Sequence, residues 1–233
     1  MPYSIDEILK AYEILIKGIE ADATDDEERA FGGIIRAGKG KLVESIARHM
    51  VEIAWDKIGG EPERLSLRKQ TFKIPINKSY IEKLTNNAIR NFIYKNISDY
   101  YYTFKTDVHV SIDNSMVMGI ECKAYTENAM LKRIMVDFTL LKSIMPNVSC
   151  VLLQLESQLT GDYSSPKKKI IFGSHSSHTI MSYFDVELNI ITLLEGERKV
   201  NEPIHNSEYF KDLRKDVLEI GINELSDLLK QYQ

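Results

Sequence analysis

The sequence predicts an α/β fold, a central mixed β-sheet flanked by helices, and three observations predict it. Apolar residues recur at helical spacing before residue 100, strand-like runs cluster between residues 100 and 155, and strand and helix patterns follow again after that. The length of 233 residues, with 43% hydrophobic and 27% charged residues, suits one globular core, so residues 1–233 are read as a single domain without internal repeats.

Over residues 4–19 the apolar positions Ile5, Ile8, Leu9, Tyr12, Leu15, Ile16 and Ile19 fall on one helical face, and Ser4 with Glu7 forms a capping box. An acidic stretch over residues 20–28 reads as a solvated turn and short helix. A glycine-rich, basic connection follows at residues 31–41 and opens a helix over 42–55, which Gly59, Gly60 and Pro62 stop. Residues 81–94 are helical again, with Ile81, Leu84, Ala88, Ile89, Phe92 and Ile93 on one side. Residues 100–112 switch to a strand, Asp113, Asn114 and Ser115 make a three-residue turn, and 116–125 form the return strand. A helix over 128–144 leads to a buried strand at 148–155. An exposed, mobile loop at 157–169, short strands near 170–172 and 188–193, and a terminal helix over 209–232 complete the pattern.

Composition excludes several classes. Cys122 and Cys150, the only cysteines, sit in apolar strand runs, where reduced buried thiols are expected and a disulfide is not. No uncharged apolar run reaches the ~20 residues of a membrane span and the start lacks a basic segment followed by an apolar one, so a cytoplasmic protein is expected. A net charge of -4 argues against a broad basic coat for nucleic acid, but one cleft lined by Lys and Arg remains compatible with it. The glycine-rich segment lacks the spacing and Gly-Lys-Ser/Thr ending of a phosphate-binding loop, and no Gly-X-Ser-X-Gly elbow supports a serine hydrolase.

Chemistry concentrates in the hairpin. Side chains alternate along a strand, so Met118, Ile120, Cys122 and Ala124 form an apolar face while Val117, Gly119, Glu121 and Lys123 take the other. Charge at the centre of so apolar a strand demands a reason. With a three-residue turn, Ile112 faces Met116 and Asp107 stands opposite Glu121. Two carboxylates there repel, at Cβ atoms roughly 5 Å apart, unless a divalent cation lies between them. Hard oxygen ligands beside a lysine suit Mg2+ completed by water and a substrate phosphate. The ammonium of Lys123 then orients the attacking water and offsets charge growing on the phosphate.

These residues resemble the PD-(D/E)XK nuclease superfamily, whose motif is an acid, a short hairpin and Asp/Glu-X-Lys on the next strand: here Thr106-Asp107 and Glu121-Cys122-Lys123. Thr106 replaces the usual proline. Asp113 is a rival first acid, but it falls in the turn, away from Glu121. The resemblance extends over residues 38–155, the expected nuclease core. It includes a helix glutamate, matched by Glu44, and the helix and strand that follow the motif in type II restriction endonucleases. It implies a restriction-endonuclease-like fold, catalysis by Asp107, Glu121, Lys123 and Glu44, and a metal held at Asp107, Glu121 and Cys122. The function implied is that of a Mg2+-dependent type II restriction endonuclease cutting double-stranded DNA as a homodimer. The alternatives are a repair, recombination or transposon nuclease of the same superfamily, and an inactive DNA-binding module.

Phosphate contacts are expected from Arg36, Lys39 and Lys41 before the Glu44 helix, from Lys132 and Arg133 after the hairpin, and from Lys167 and Lys168 in the long loop. His175 and His178 have metal spacing but no acidic or cysteine neighbours, so a polar loop is the better reading. His109 shares a face with Asp107 and borders the site or serves the structure. A second acid-X-Lys copy, Glu197-Arg198-Lys199, lies in a polar turn.

Overall fold

In the computed structural model the described residues are 4–23 and 28–233, with side chains described at 4–18 and 38–233. Residues 24–27 of the expected acidic stretch, and the side chains of all of that stretch and of residues 31–37, lie outside them. The elements run α1 (Ile5–Ala23), α2 (Glu28–Lys57), β1 (Leu65–Ser66), β2 (Phe72–Pro75), α3 (Lys78–Lys83), α4 (Asn87–Lys95), β3 (Tyr101–Phe104), β4 (Val108–Ile112), β5 (Ser115–Glu127), α5 (Asn128–Ile144), β6 (Ser149–Gln158), α6 (His175–Met181), β7 (Leu188–Thr192) and α7 (Lys215–Leu229).

Five strands form one sheet in the order β1-β4-β5-β6-β7, in which β4 and β5 pair antiparallel while β5, β6 and β7 run parallel. The expected mixed sheet flanked by helices is therefore present. The thirteen-residue β5 lies at its centre, and α5 carries the chain from β5 to its parallel neighbour β6, a reversal that needs a crossover helix. One face packs on α1, α2 and α7 through residues such as Ile8, Tyr12, Val43, Met50, Ile120, Leu153, Ile222 and Leu225. The other packs under α5 through Leu131, Phe138, Leu141, Cys150 and Leu152. Both cysteines are free and buried, as expected.

Several boundaries differ from the pattern reading. The glycine-rich connection is helical: α2 continues through Gly38 and Gly40, with open space around Gly40. Packing of the later apolar stripe against the sheet outweighs the intrinsic helix cost of glycine. The helix over 81–94 is two helices. Asn86 interrupts it, its side chain accepting from the amides of Ala88 (2.9 Å) and Ile89 (3.2 Å) and so capping α4. The strand over 100–112 is also two, because β3 pairs with β2 in a separate ribbon and only β4 joins the main sheet. No strand forms at 170–172, where the carboxylate of Asp162 takes the amides of Phe172 and Gly173 at 3.0 and 2.7 Å in place of a strand partner. The long loop is anchored by buried Leu159 and Tyr163, and the terminal helix starts at Lys215. The capping box at Ser4 and Glu7 is present, with reciprocal bonds of 2.7 and 3.3 Å.

The hairpin turn is shorter than expected. Ile112 pairs with Ser115 across Asp113 and Asn114, both at positive φ (50° and 65°), the conformation of tight hairpin turns. A bulge between Val110 and Ser111 then inserts Val117, which packs with Met118 into the α2 core rather than sharing the Glu121 face. Shorter turn and bulge cancel: Val108 faces Ile120, so Asp107 arrives level with Glu121 as the simpler count expected.

The end of α2 is closed by Trp55, whose indole donates to the Glu61 carbonyl at 2.8 Å and lies on the bare Cα of Gly60. A Cβ at Gly60 stands 2.1 Å from that ring. Gly60→Ala is expected to destabilise the protein by about 2 kcal/mol or more through overpacking, measured by urea unfolding.

Candidate active site

Asp107, Glu121 and Lys123 converge at the edge where β4 begins. The Lys123 ammonium donates to Glu121 Oε2 at 2.8 Å, to Asp107 Oδ2 at 3.2 Å and to the Cys122 carbonyl at 3.2 Å. Asp107 Oδ2 is fixed a second time by the Cys122 amide at 2.9 Å. One cation thus stands among two carboxylate oxygens and a carbonyl, while the Cys122 thiol turns to the α2 core, where burial and the charges of Asp107 and Glu121 raise its pKa well above the ordinary range. Cys122 therefore contributes a backbone oxygen here, not sulfur. Asp113 lies away from this point, in a bidentate pair with Arg64 at 2.9–3.2 Å.

The site is electrostatically tense. The Glu121 side chain is 10% exposed, and burial pushes its pKa up to about 7; the Lys123 charge opposes this and the Asp107 charge adds to it. Burial disfavours the Lys123 ammonium too, but Glu121 and Asp107 outweigh it and hold its pKa above the ordinary value. Two carboxylates and a carbonyl around one cationic point are the hard oxygen set that a divalent ion takes, with water and phosphate filling the remaining positions. The residues fit such an ion. Among the described residues no group of three His, Cys, Asp or Glu side chains is placed to hold a metal, so the carbonyl is needed to make the third ligand.

Glu44 does not touch the trio. Its carboxylate accepts from Lys69 Nζ at 2.8 Å, and one turn on Arg48 donates to the Leu67 carbonyl, so α2 holds the segment leading to Gln70. That segment reaches the site through His109, which is fully buried and stacked on Phe72 with ring centroids 5.3 Å apart. Its Nδ1 faces the Gln70 amide at 2.9 Å and its Nε2 the Thr106 amide at 3.1 Å. A neutral imidazole accepts at one nitrogen only, and a protonated one at neither. Burial, then the Lys69 charge, holds the His109 pKa below its ordinary value. Of its two expected roles, His109 takes the structural one, fixing the backbone next to Asp107.

The expected phosphate contacts divide. Lys132 and Arg133 are exposed on α5, and Arg133 pairs at 3.8 Å with Asp137, whose charge helps raise the Glu121 pKa and is itself offset by that of Lys123. Lys41 is exposed on α2. Lys39 is not presented outward: it lies one turn before Val43 on the buried stripe of α2, 3.3 Å from His205, and burial lowers its pKa. The side chain of Arg36 lies outside the described residues. Lys167 pairs with Glu195 and Lys168 with Asp162, away from the trio. His175 and His178 are on a short helix instead of a loop, with His178 Nε2 2.7 Å from the Phe172 carbonyl, and neither meets an acidic or cysteine cluster.

Three positions near the trio carry no sequence signal of their own. Asp137 is visible only as the partner of Arg133 four residues earlier. Gln154 stands beside Lys123 on β6, donates to Thr192 at 2.9 Å and keeps a buried carbonyl oxygen without a partner. Gly119 lies two residues before Glu121 on the same face, and its missing side chain admits the Thr106 methyl, 3.1 Å from where a Cβ would stand.

The chain is 48% identical over 229 residues to the type II restriction enzyme DdeI of Desulfomicrobium norvegicum, an alignment covering 96% of this chain and 95% of that one. The chain belongs to the type II restriction enzymes. No protein-family model matches it. Among solved structures, the native BbvCI A2B2 tetramer is similar at a TM-score of 0.41 and 12% identity, covering 98% of this chain and 87% of that one.

Two measurements check the site. Because the folded pKa of Glu121, about 7, lies above its unfolded value of 4.5, its stabilising contribution is full below pH 4.5 and lost as pH rises through 7. Without divalent cations, the wild type is expected to lose roughly 3 kcal/mol relative to Glu121→Gln over that window, read from thermal unfolding of both at each pH. His109→Phe keeps the stack but removes the acceptor nitrogen of the ring, and is expected to cost about 1–3 kcal/mol for the amide left unsatisfied, read by urea unfolding.

Proposed function

We propose that the protein is a Mg2+-dependent endodeoxyribonuclease of the PD-(D/E)XK type that cuts both strands of duplex DNA at a short specific sequence. The observation that carries this reading is the convergence of Asp107 Oδ2, Glu121 Oε2 and the Cys122 carbonyl on the Lys123 ammonium. Membership of the type II restriction enzymes supports the DNA substrate and the sequence specificity.

In this reading Asp107, Glu121 and the Cys122 carbonyl hold Mg2+, which supplies Lewis-acid activation at the scissile phosphate. Lys123 leaves the oxygen cage for the attacking water or a phosphate oxygen, where its charge offsets that developing in the transition state. His109 keeps the Asp107 backbone in place, and Glu44 anchors the 67–70 segment while remaining a further candidate for the metal side. Lys41, Lys132 and Arg133 contact phosphates, with Arg133 also neutralising Asp137 beside the site. The proposed working unit is one domain of residues 1–233, paired with a second copy about a two-fold axis so that a palindromic target meets two equivalent sites. No helix among the described residues is long and apolar enough to cross a membrane, and a cytoplasmic location fits a restriction role.

Plasmid DNA incubated with the protein and Mg2+ is expected to give discrete fragments, and EDTA to abolish them. Asp107→Ala and Lys123→Ala are each expected to lower cleavage by at least about a hundredfold. Retention of wild-type cleavage by both variants overturns the site.

A further inference from the structure

We propose that residues 68–105, the β2-β3 ribbon with α3 and α4, form the duplex-gripping surface of this enzyme; the inference rests on the nuclease reading above and names where the substrate is held. This segment carries eight Lys or Arg against two acids, Glu82 and Asp99, in a chain whose totals are 30 and 34. Its charge is opposite in sign to that of the whole chain. Among the described residues only Lys69 of the eight is paired with a carboxylate, so seven cations stand uncompensated. All of them except Arg90, which is half-buried, are exposed.

The segment is thin. Ile74, Ile81, Ile93 and Phe104 are its only buried side chains. Seven of the fourteen large hydrophobic side chains exposed among the described residues lie within 80–102, including Phe92 at 62% and Tyr102 at 55%. Scattered exposed apolar residues need no explanation, but such a concentration marks a contact surface. Cations interleaved with aromatic and asparagine side chains suit a nucleic acid, whose phosphates take the charge and whose base edges take amides and rings. A second copy of the chain fits worse, because a two-fold axis sets the same uncompensated cations against each other.

The ribbon of this surface is anchored beside the reaction centre. Phe104 and Ile74 anchor the ribbon in the core under α5, and Gln70 and Phe72 are held by His109. Tyr102 is five residues from Asp107, so at most about 18 Å of backbone separates them. A duplex carries one phosphate charge per about 1.7 Å of its axis, so DNA held at Asp107 offers many phosphates over that span. The 157–169 loop is the weaker phosphate-contact surface, because its Lys167 and Lys168 are already paired with carboxylates.

The test uses the full chain, with Ca2+ in place of Mg2+, and a short labelled duplex centred on a cut that the wild type makes in plasmid DNA. Lys78→Ala/Lys83→Ala/Lys95→Ala is expected to weaken binding at least about tenfold at roughly 0.1 M salt and to flatten the log affinity against log salt slope by about 2–3. Lys199→Ala/Lys215→Ala/Lys230→Ala, which removes equal charge elsewhere, is expected to change affinity less than about twofold. Phe92→Ser, at an exposed position with little bearing on folding, is expected to weaken binding or relax the cut sequence. Unchanged binding and cleavage in the lysine and Phe92 variants overturns the inference while wild-type cleavage leaves the nuclease reading standing. A loss of affinity that follows a change in oligomeric mass assigns the surface to a second copy and also overturns it. A wild type that neither binds nor cuts duplex DNA defeats both readings together.

Discussion

The contact on which the site depends is that of one ammonium with three oxygens. Asp107 and Glu121 stand level across β4 and β5, and Glu121 is nearly sealed from solvent. Two carboxylates so placed repel, and each loses hydration. Lys123 compensates both at once, and the Cys122 carbonyl completes its coordination. An arrangement that a protein lysine satisfies in this way is also one that a small divalent ion satisfies better, since it brings two charges to the same oxygens and accepts more ligands. The strain and the proposed chemistry thus share one origin.

The rest of the fold holds that cluster in place. β5 is sandwiched between the α2 core and the α5 core, which leaves Glu121 and Lys123 no freedom to change face. α5 brings Asp137 and Arg133 to the rim. On the other flank Glu44, Lys69, Gln70 and His109 form a relay of contacts from α2 to the Thr106 amide, so the backbone at Asp107 is held from a helix on the opposite side of the sheet. Sequence similarity to a type II restriction enzyme over nearly the whole chain gives this cluster a family context. The basic ribbon between α2 and β4 gives it a surface on which a polyanion can rest.

Much of this is legible in the sequence, though not always for the right reason. The level placement of Asp107 and Glu121 follows from assuming a three-residue turn. The protein uses a two-residue turn at positive φ and recovers the register with a bulge at Val117. The glycine-rich stretch reads as a connection because glycine disfavours helix, yet α2 runs through it. That continuity is also why Lys39, expected among the phosphate contacts, lies on a buried stripe beside His205 instead. Asn86 divides a helix whose apolar spacing alone looks continuous, and Ile89 and Phe92, expected on its inner side, face solvent.

Local order along the chain was sufficient to determine the alternation that sets two charges into an apolar strand, the helix-strand-helix sequence around it, the free buried cysteines, and the acid-X-Lys spacing. These follow from periods of two and 3.6 residues, which adjacent side chains alone impose. Tertiary structure decided which atom of Cys122 faces the cluster, that Glu44 reaches it only through Lys69 and His109, and that β3 leaves the main sheet to make a ribbon with β2. Each of those depends on contacts between residues distant in sequence, where burial and hydrogen bonding across elements outweigh local preference.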